Sequence, residues 1–181
     1  LIDLSKDKEV YGRIKKILAQ YGTFRDEYLK RNTIFFMLSY NEPYLNVKVE
    51  ISLLRFPNEY EIKQYLGLPV LVMKKEYMFS HKLVALTERK GIANRDIFDT
   101  WFFLKNGWLL KDEIIELRTG IPVKEYLRKC IAFIESVSKK NILQGLGEVL
   151  GEELKPWVKN NLISETLFYL RYYLEAIEKR R

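Results

Sequence analysis

The sequence holds a single cysteine, Cys130, and a single histidine, His81, in 181 residues. One cysteine rules out an intramolecular disulfide, and with one histidine beside it no Cys/His zinc cluster can form. A catalytic thiol would have to draw on His81 alone. Cys130, set in the apolar stretch Arg128-Lys-Cys-Ile-Ala-Phe-Ile134, therefore reads as a small buried hydrophobe. No apolar run approaches the roughly 18 residues of a membrane-spanning helix, and no leader pattern is visible, so a reducing cytoplasm is the expected compartment and no membrane partner is expected. Low-complexity linkers and internal repeats are absent too.

What is present fits a packed domain. Apolar residues make up 48% of the chain, including 12 Tyr and 10 Phe, which is more than a disordered segment carries. The 31 basic residues outnumber the 24 acidic ones, giving a net charge of +7. That excess suits an anionic partner such as nucleic acid or a nucleotide phosphate, or simply a solvated basic surface. The chain opens Leu-Ile-Asp-Leu rather than with Met, and the expectation is a fragment, a processed product or a chain lacking its first residues.

Periodicity organises the rest. Val10, Ile14, Ile17, Leu18 and Tyr21 fall at helical spacing, so residues 7–21 are expected to form an amphipathic helix stopped by Gly22. Residues 33–40 are β-branched and aromatic, and 45–52 alternate strictly. Val47, Val49 and Ile51 are expected to face the core, with Asn46, Lys48, Glu50 and Ser52 opposite. Asn41-Glu-Pro-Tyr44 supplies turn chemistry between the two runs, which predicts an antiparallel hairpin. Residues 68–73 make a third strand candidate. Helices are then expected at 80–90, at 95–106 with Asn94 as cap, and at 111–117, 123–138 (with Pro122 at the start), 141–150 and 154–180. Strands followed by a run of helices predict an α+β fold, a small antiparallel or mixed sheet followed by a C-terminal helical bundle. The expected domains are 1–79, helix plus sheet, and 80–181, helical. Trp157, Phe168, Tyr169, Tyr172 and Tyr173 read as helix-packing residues, with a base-stacking platform as the alternative.

The chemically informative stretch is 81–104. On a helix, Lys82 and Arg89 lie on one face two turns apart. Asp96 and Asp99, spaced i,i+3 on the next helix, also share a face, and Arg95 stands four residues before Asp99. A tight turn between the helices would gather these charges against an apolar wall of Phe98, Trp101, Phe102 and Leu104. Partly buried charges must be paired or used, so the group is either an inter-helix salt-bridge network or a binding site.

The pattern Lys82-Leu-Val-Ala85-Leu86-Thr-Glu-Arg89, a short spacer, then Arg95-Asp96-Ile-Phe-Asp99 and an aromatic-aliphatic run resembles the signature of the AbiEii/AbiGii toxin family of nucleotidyltransferases. The resemblance covers residues 33–104 well and the remainder loosely. It implies a polymerase-β-like core, with residues 1–79 as part of that core. It also implies an NTP substrate, Mg2+ as divalent metal, and an RNA acceptor, with tRNA foremost. The protein would then be a growth-inhibiting toxin with a cognate antitoxin. By resemblance Glu50 is the third carboxylate of the metal site. Lys82 is a triphosphate ligand. Asp96 and Asp99 orient Lys82 or Arg89, or act on the acceptor hydroxyl, and Arg89 and Arg95 contact nucleotide or RNA phosphate. The family's Gly-Ser or Gly-Gly-Thr phosphate loop and its Asp-x-Asp metal pair are not found in this sequence. The expectation is a chain starting just past that pair, or a degenerate member. A non-catalytic basic module that binds RNA or protein is the alternative function. The antitoxin of such a system ranks last, because no DNA-recognition helix is evident.

Overall fold

The computed structural model describes residues 4–40, 46–89, 91, 94–146 and 150–179. The chain divides into two compact units, Leu1–Phe56 and Pro57–Arg181. Segment 57–79, grouped with the sheet on sequence, goes with the helices. Asn58 meets the His81 ring, and Glu59 accepts from both Lys74 and Tyr77. The linker Asn41-Glu-Pro-Tyr44 lies outside the described residues.

In the first unit, helix α1 (Leu4–Leu18) precedes the strands β1 (Thr23–Lys30), β2 (Thr33–Ser39) and β3 (Asn46–Ser52). All pairings are antiparallel, in the order β1-β2-β3. The predicted β2–β3 hairpin is present, with Phe35 opposite Glu50 and Ile34 opposite Ile51. On one face the alternation buries Ile34, Phe36 and Leu38. Here α1 packs, with Tyr11 stacked on Phe36 at 5.0 Å and Lys15 paired to Glu27 on β1. On the other face Tyr28 stacks on Phe35 at 4.7 Å. Two expectations need correction. Val47 is not a core residue: it sits near the start of edge strand β3 and is 41% exposed, whereas Val49 and Ile51 are half-buried. The β1 strand was not foreseen, because Arg25, Asp26, Glu27 and Lys30 hide its alternation and the ladder slips between Phe24 and Asp26, which breaks the period of two.

The second unit opens with the hairpin β4 (Tyr60–Tyr65) and β5 (Leu68–Met73). Of these β5 was expected and β4 was not. Helices α2 (Lys75–Glu88), α3 (Asn94–Lys105), α4 (Asp112–Thr119), α5 (Val123–Glu135) and α6 (Lys155–Lys179) follow. Their core includes Phe79, Leu83, Val84, Ile97, Leu127 and Leu162. α3 lies against α6, where Trp101 meets Trp157 at 4.2 Å. Cys130 is fully buried, and burial pushes its thiol up to about 12, which agrees with a packing role. Among the described residues of the span 141–150, where a helix was expected, no α-helix forms: Lys139–Asn141 is a short 3-10 turn, and Gly145 takes a φ of 76°, a left-handed conformation that ends helical continuation. Trp157, Tyr169 and Tyr173 join the packing as expected, whereas Phe168 and Tyr172 stay 61% and 65% exposed. No helix among the described residues is long and apolar enough to cross a membrane.

Candidate functional site

Helix α2 carries Lys82 and the first turns of α3 carry Asp96 and Asp99. The packing that joins them is apolar. Leu83, Val84 and Leu86 from α2 and Ile97 and Trp101 from α3 all belong to one buried cluster. With those faces turned inward, Lys82 is left facing the start of α3. Its Nζ stands 3.1 Å from Asp96 Oδ1 and 2.9 Å from Asp99 Oδ2. Arg89, just past the end of α2, places Nε 2.9 Å from Asp96 Oδ2. Four of the six residues assigned on sequence therefore converge within one unit.

Their burial differs in a useful way. The Asp96 side chain is 1% exposed, those of Lys82 and Asp99 are 26% and 28% exposed, and that of Arg89 is 51% exposed. Asp96 is thus a buried anion behind a cation that solvent can reach. Its Oδ2 receives no well-aligned hydrogen bond despite the nearness of Arg89 Nε, so this contact is one of charge more than of directed bonding. Arg95 is exposed and joins none of these pairs among the described residues. Asp99, which Arg95 could have taken, is held by Lys82 instead.

Glu50 belongs to the other unit. It lies on β3 opposite Phe35, half-exposed, with Lys48 Nζ 2.5 Å from its Oε2. Among the described residues no group of three His, Cys, Asp or Glu side chains is arranged to hold a metal ion. The carboxylates of Asp96 and Asp99 are engaged by cations. The described residues therefore do not by themselves build the divalent site expected from the motif.

Several supporting residues escaped the sequence reading. Asn94 opens α3, and its Nδ2 donates to the carbonyls of Asn141 and Gln144, at 2.7 and 3.1 Å, which ties the start of α3 to segment 139–146. That segment, with Lys159, lines an open cavity of about 650 Å³ bearing Lys139, Lys140, Asn141 and Gln144. None of the three lysines has an ion-pair partner among the described residues. The adjacent Lys139-Lys140 pair was the one available signal. Thr100 bonds back to the Asp96 carbonyl at 2.7 Å, and Trp101 Nε1 donates to Glu165 on α6 at 2.9 Å.

His81, next to Lys82, is also fixed. Arg118 Nη1 donates to its Nδ1 at 2.9 Å, which leaves the proton on Nε2 to face Asn58 Oδ1 at 2.7 Å. Burial, and after it the Arg118 charge, push the imidazole down from 6.5 to about 4. Because the folded value lies below the unfolded one, neutral His81 stabilises the fold above pH 6.5, and this contribution is lost as the pH falls through 6.5 toward 4. In urea unfolding across that window, His81→Gln should lose stability less steeply than the wild type. Parallel profiles would contradict the assignment.

A family model described as "Nucleotidyl transferase AbiEii toxin, Type IV TA system" matches residues 2–131. The chain is also similar to a crystal structure from H. pylori of a protein provisionally assigned as a nucleotidyltransferase. The identity is 19% and the TM-score 0.49, over 94% of this chain and 74% of that one. No curated protein matches.

Proposed function

The chain belongs to the AbiEii family of nucleotidyltransferase toxins of type IV toxin–antitoxin systems, and from that membership we propose that it moves a nucleotide from an NTP to an RNA acceptor, with tRNA foremost. The reaction makes a bond from an acceptor hydroxyl oxygen to the α-phosphorus and breaks the bond to the pyrophosphate oxygen, which leaves as pyrophosphate. Charge builds on the phosphate oxygens, so the protein must present cations that are already in place.

The observation that carries this reading is the Lys82 ammonium, a quarter exposed and oriented by two carboxylates. An ammonium held this way meets a polyphosphate with little further loss of side-chain freedom. Asp96, too buried to reach a substrate, acts as a positioning residue. Asp99 is the more accessible carboxylate and is assigned to the acceptor hydroxyl. Arg89 and the exposed Arg95 are assigned to nucleotide or RNA phosphate. Glu50, on the first unit, is assigned by family membership alone as a carboxylate that would hold Mg2+. A cognate antitoxin is the expected partner. The lysine-lined cavity, tied through Asn94 to the helix bearing Asp96, supports contact with the RNA backbone.

Incubating the full-length protein with labelled NTPs, Mg2+ and total RNA tests the reading directly, and labelled RNA is the expected product. Replacing Lys139, Lys140 and Lys159 together by Glu should weaken RNA binding and lower the slope of log K against log salt by about 2–3, while NTP binding stays unchanged. RNA retention without label would favour the non-catalytic binding module. An unchanged salt slope would remove the lysine cavity from the RNA path.

A further inference from the structure

The β4–β5 hairpin is an unfinished sheet. Its two strands pair from Tyr60 with Met73 to Tyr65 with Leu68, closed by Leu66 and Gly67 at φ 49° and 79°. A two-residue turn with both φ positive makes Tyr65 and Leu68 a hydrogen-bonded pair. The amide of Lys74 donates to the Glu59 carbonyl at 3.0 Å, which confirms that parity at the far end. Glu59, Glu61, Lys63 and Tyr65 therefore bond inward. The amides and carbonyls of Tyr60, Ile62 and Gln64 point out along one edge, and those of Pro69, Leu71 and Met73 along the other. Pro69 has no N–H, so the β5 edge is blunted. The β4 edge carries no proline, and no strand pairs with it among the described residues. Its side chains are conspicuously uncovered: Ile62 is 70% exposed, Tyr65 66% and Tyr60 47%, with Leu71 across from Ile62 at 69%. A lone hairpin this apolar is marginal in water.

The sequence of β4 specifies what fits there. We infer that β4 pairs antiparallel with β4 of a second copy about a two-fold axis at Ile62, making a four-stranded sheet β5-β4-β4-β5. In this register Ile62 faces Ile62, Tyr60 faces Gln64, and Glu61 faces Lys63 on both sides of the axis. The outward amides of Tyr60, Ile62 and Gln64 then meet outward carbonyls throughout. The Glu61–Lys63 ion pair of the single chain, 3.0 Å long, is exchanged for two pairs across the interface. Sliding the register one step either way that preserves the hydrogen bonding sets Glu61 against Glu61 or Lys63 against Lys63, which is unfavourable on a sheet face. Charge complementarity thus selects both the partner and the alignment. This inference does not rest on the transferase reading.

Charge exchange tests it. Sedimentation equilibrium should show the wild-type full chain as a dimer. Glu61→Lys and Lys63→Glu should each weaken self-association by at least about tenfold, since each sets like charges opposite one another. An equimolar mixture of those two variants should re-form the dimer, because every opposed pair is then of opposite sign. Ile62→Pro, which removes an outward donor but no bond of the hairpin itself, should also give monomer while leaving the thermal transition in place. The amides of Tyr60, Ile62 and Gln64 should gain exchange protection with dimerisation. A monomeric wild type, a dimer indifferent to both charge variants, or a dimer in which those three amides stay unprotected would each overturn the proposal.

Discussion

Lys82→Ala should lower nucleotide transfer by about 10²–10³-fold, the effect of removing one preorganised charge donor from a transition state, and should also lower stability by about 2–3 kcal/mol. Both follow from the same contact. Asp96 is buried, and without Lys82 its one ion-pair partner among the described residues is Arg89, whose half-exposed side chain is poorly aligned with it. Urea unfolding and a transfer assay read the two effects separately. Their separability matters, because a purely structural salt bridge would produce the stability loss alone. Replacing the pair by apolar side chains, Lys82→Met with Asp96→Leu, removes the stranded anion and should recover most of the stability. Transfer should stay lost. If the double variant regains both, or if Lys82→Ala unfolds early yet transfers normally per folded molecule, the cluster serves only to join α2 to α3. Arg89→Ala should cost less stability than Lys82→Ala, since Arg89 is the more solvated partner.

Trp101→Ala should be the most destabilising single change in the second unit, by about 3–5 kcal/mol. The indole is 7% exposed, meets Trp157 at 4.2 Å and donates to Glu165 at 2.9 Å. Its loss leaves a cavity between α3 and α6 and takes one of the two indole donors from Glu165, which also accepts from Trp157. The site should suffer indirectly, because Trp101 sits on the same helix as Asp96 and Asp99 and fixes how that helix lies against α6. Trp101→Phe keeps much of the ring packing but not the hydrogen bond, and should cost about 1 kcal/mol beyond its smaller packing loss. Thermal unfolding of the two variants checks the order. Equal stabilities for Trp101→Ala and the wild type would mean that α3 is held by something else.

The charge cluster was legible because helical geometry is strict. Once Lys82 and Asp96 are placed on consecutive helices with a short turn between, few arrangements keep Leu83, Ile97 and Trp101 buried while leaving the charges apart. The β2–β3 hairpin was legible for a similar reason, since strict alternation admits one pairing face. Elements whose side chains meet water on both sides left no such trace. Strand β4 is mostly exposed along its length, so the short alternation of Tyr60 and Ile62 with Glu61 and Lys63, broken at Gln64-Tyr65, marks no buried face, and β1 loses its phase at a bulge. Asn94 makes a tie that the sequence does not show: its side-chain NH2 donates to carbonyls from a segment nearly fifty residues on. A long-range bond of that kind has no local signature. Nor does the exposure of Val47, which depends on what lies beside an edge strand and not on its own alternation.

In the function proposed above, Lys82 and Arg89 form with Asp96 and Asp99 a seat for a polyphosphate. The most direct measurement is calorimetric titration of a non-hydrolysable NTP with Mg2+ into the full-length protein and into the Lys82→Met/Asp96→Leu variant, at a urea-verified equal folded fraction. The wild type should bind, and the variant should bind at least about tenfold more weakly. Equal affinity in the two proteins would contradict the claim and leave the cluster as a salt bridge between helices.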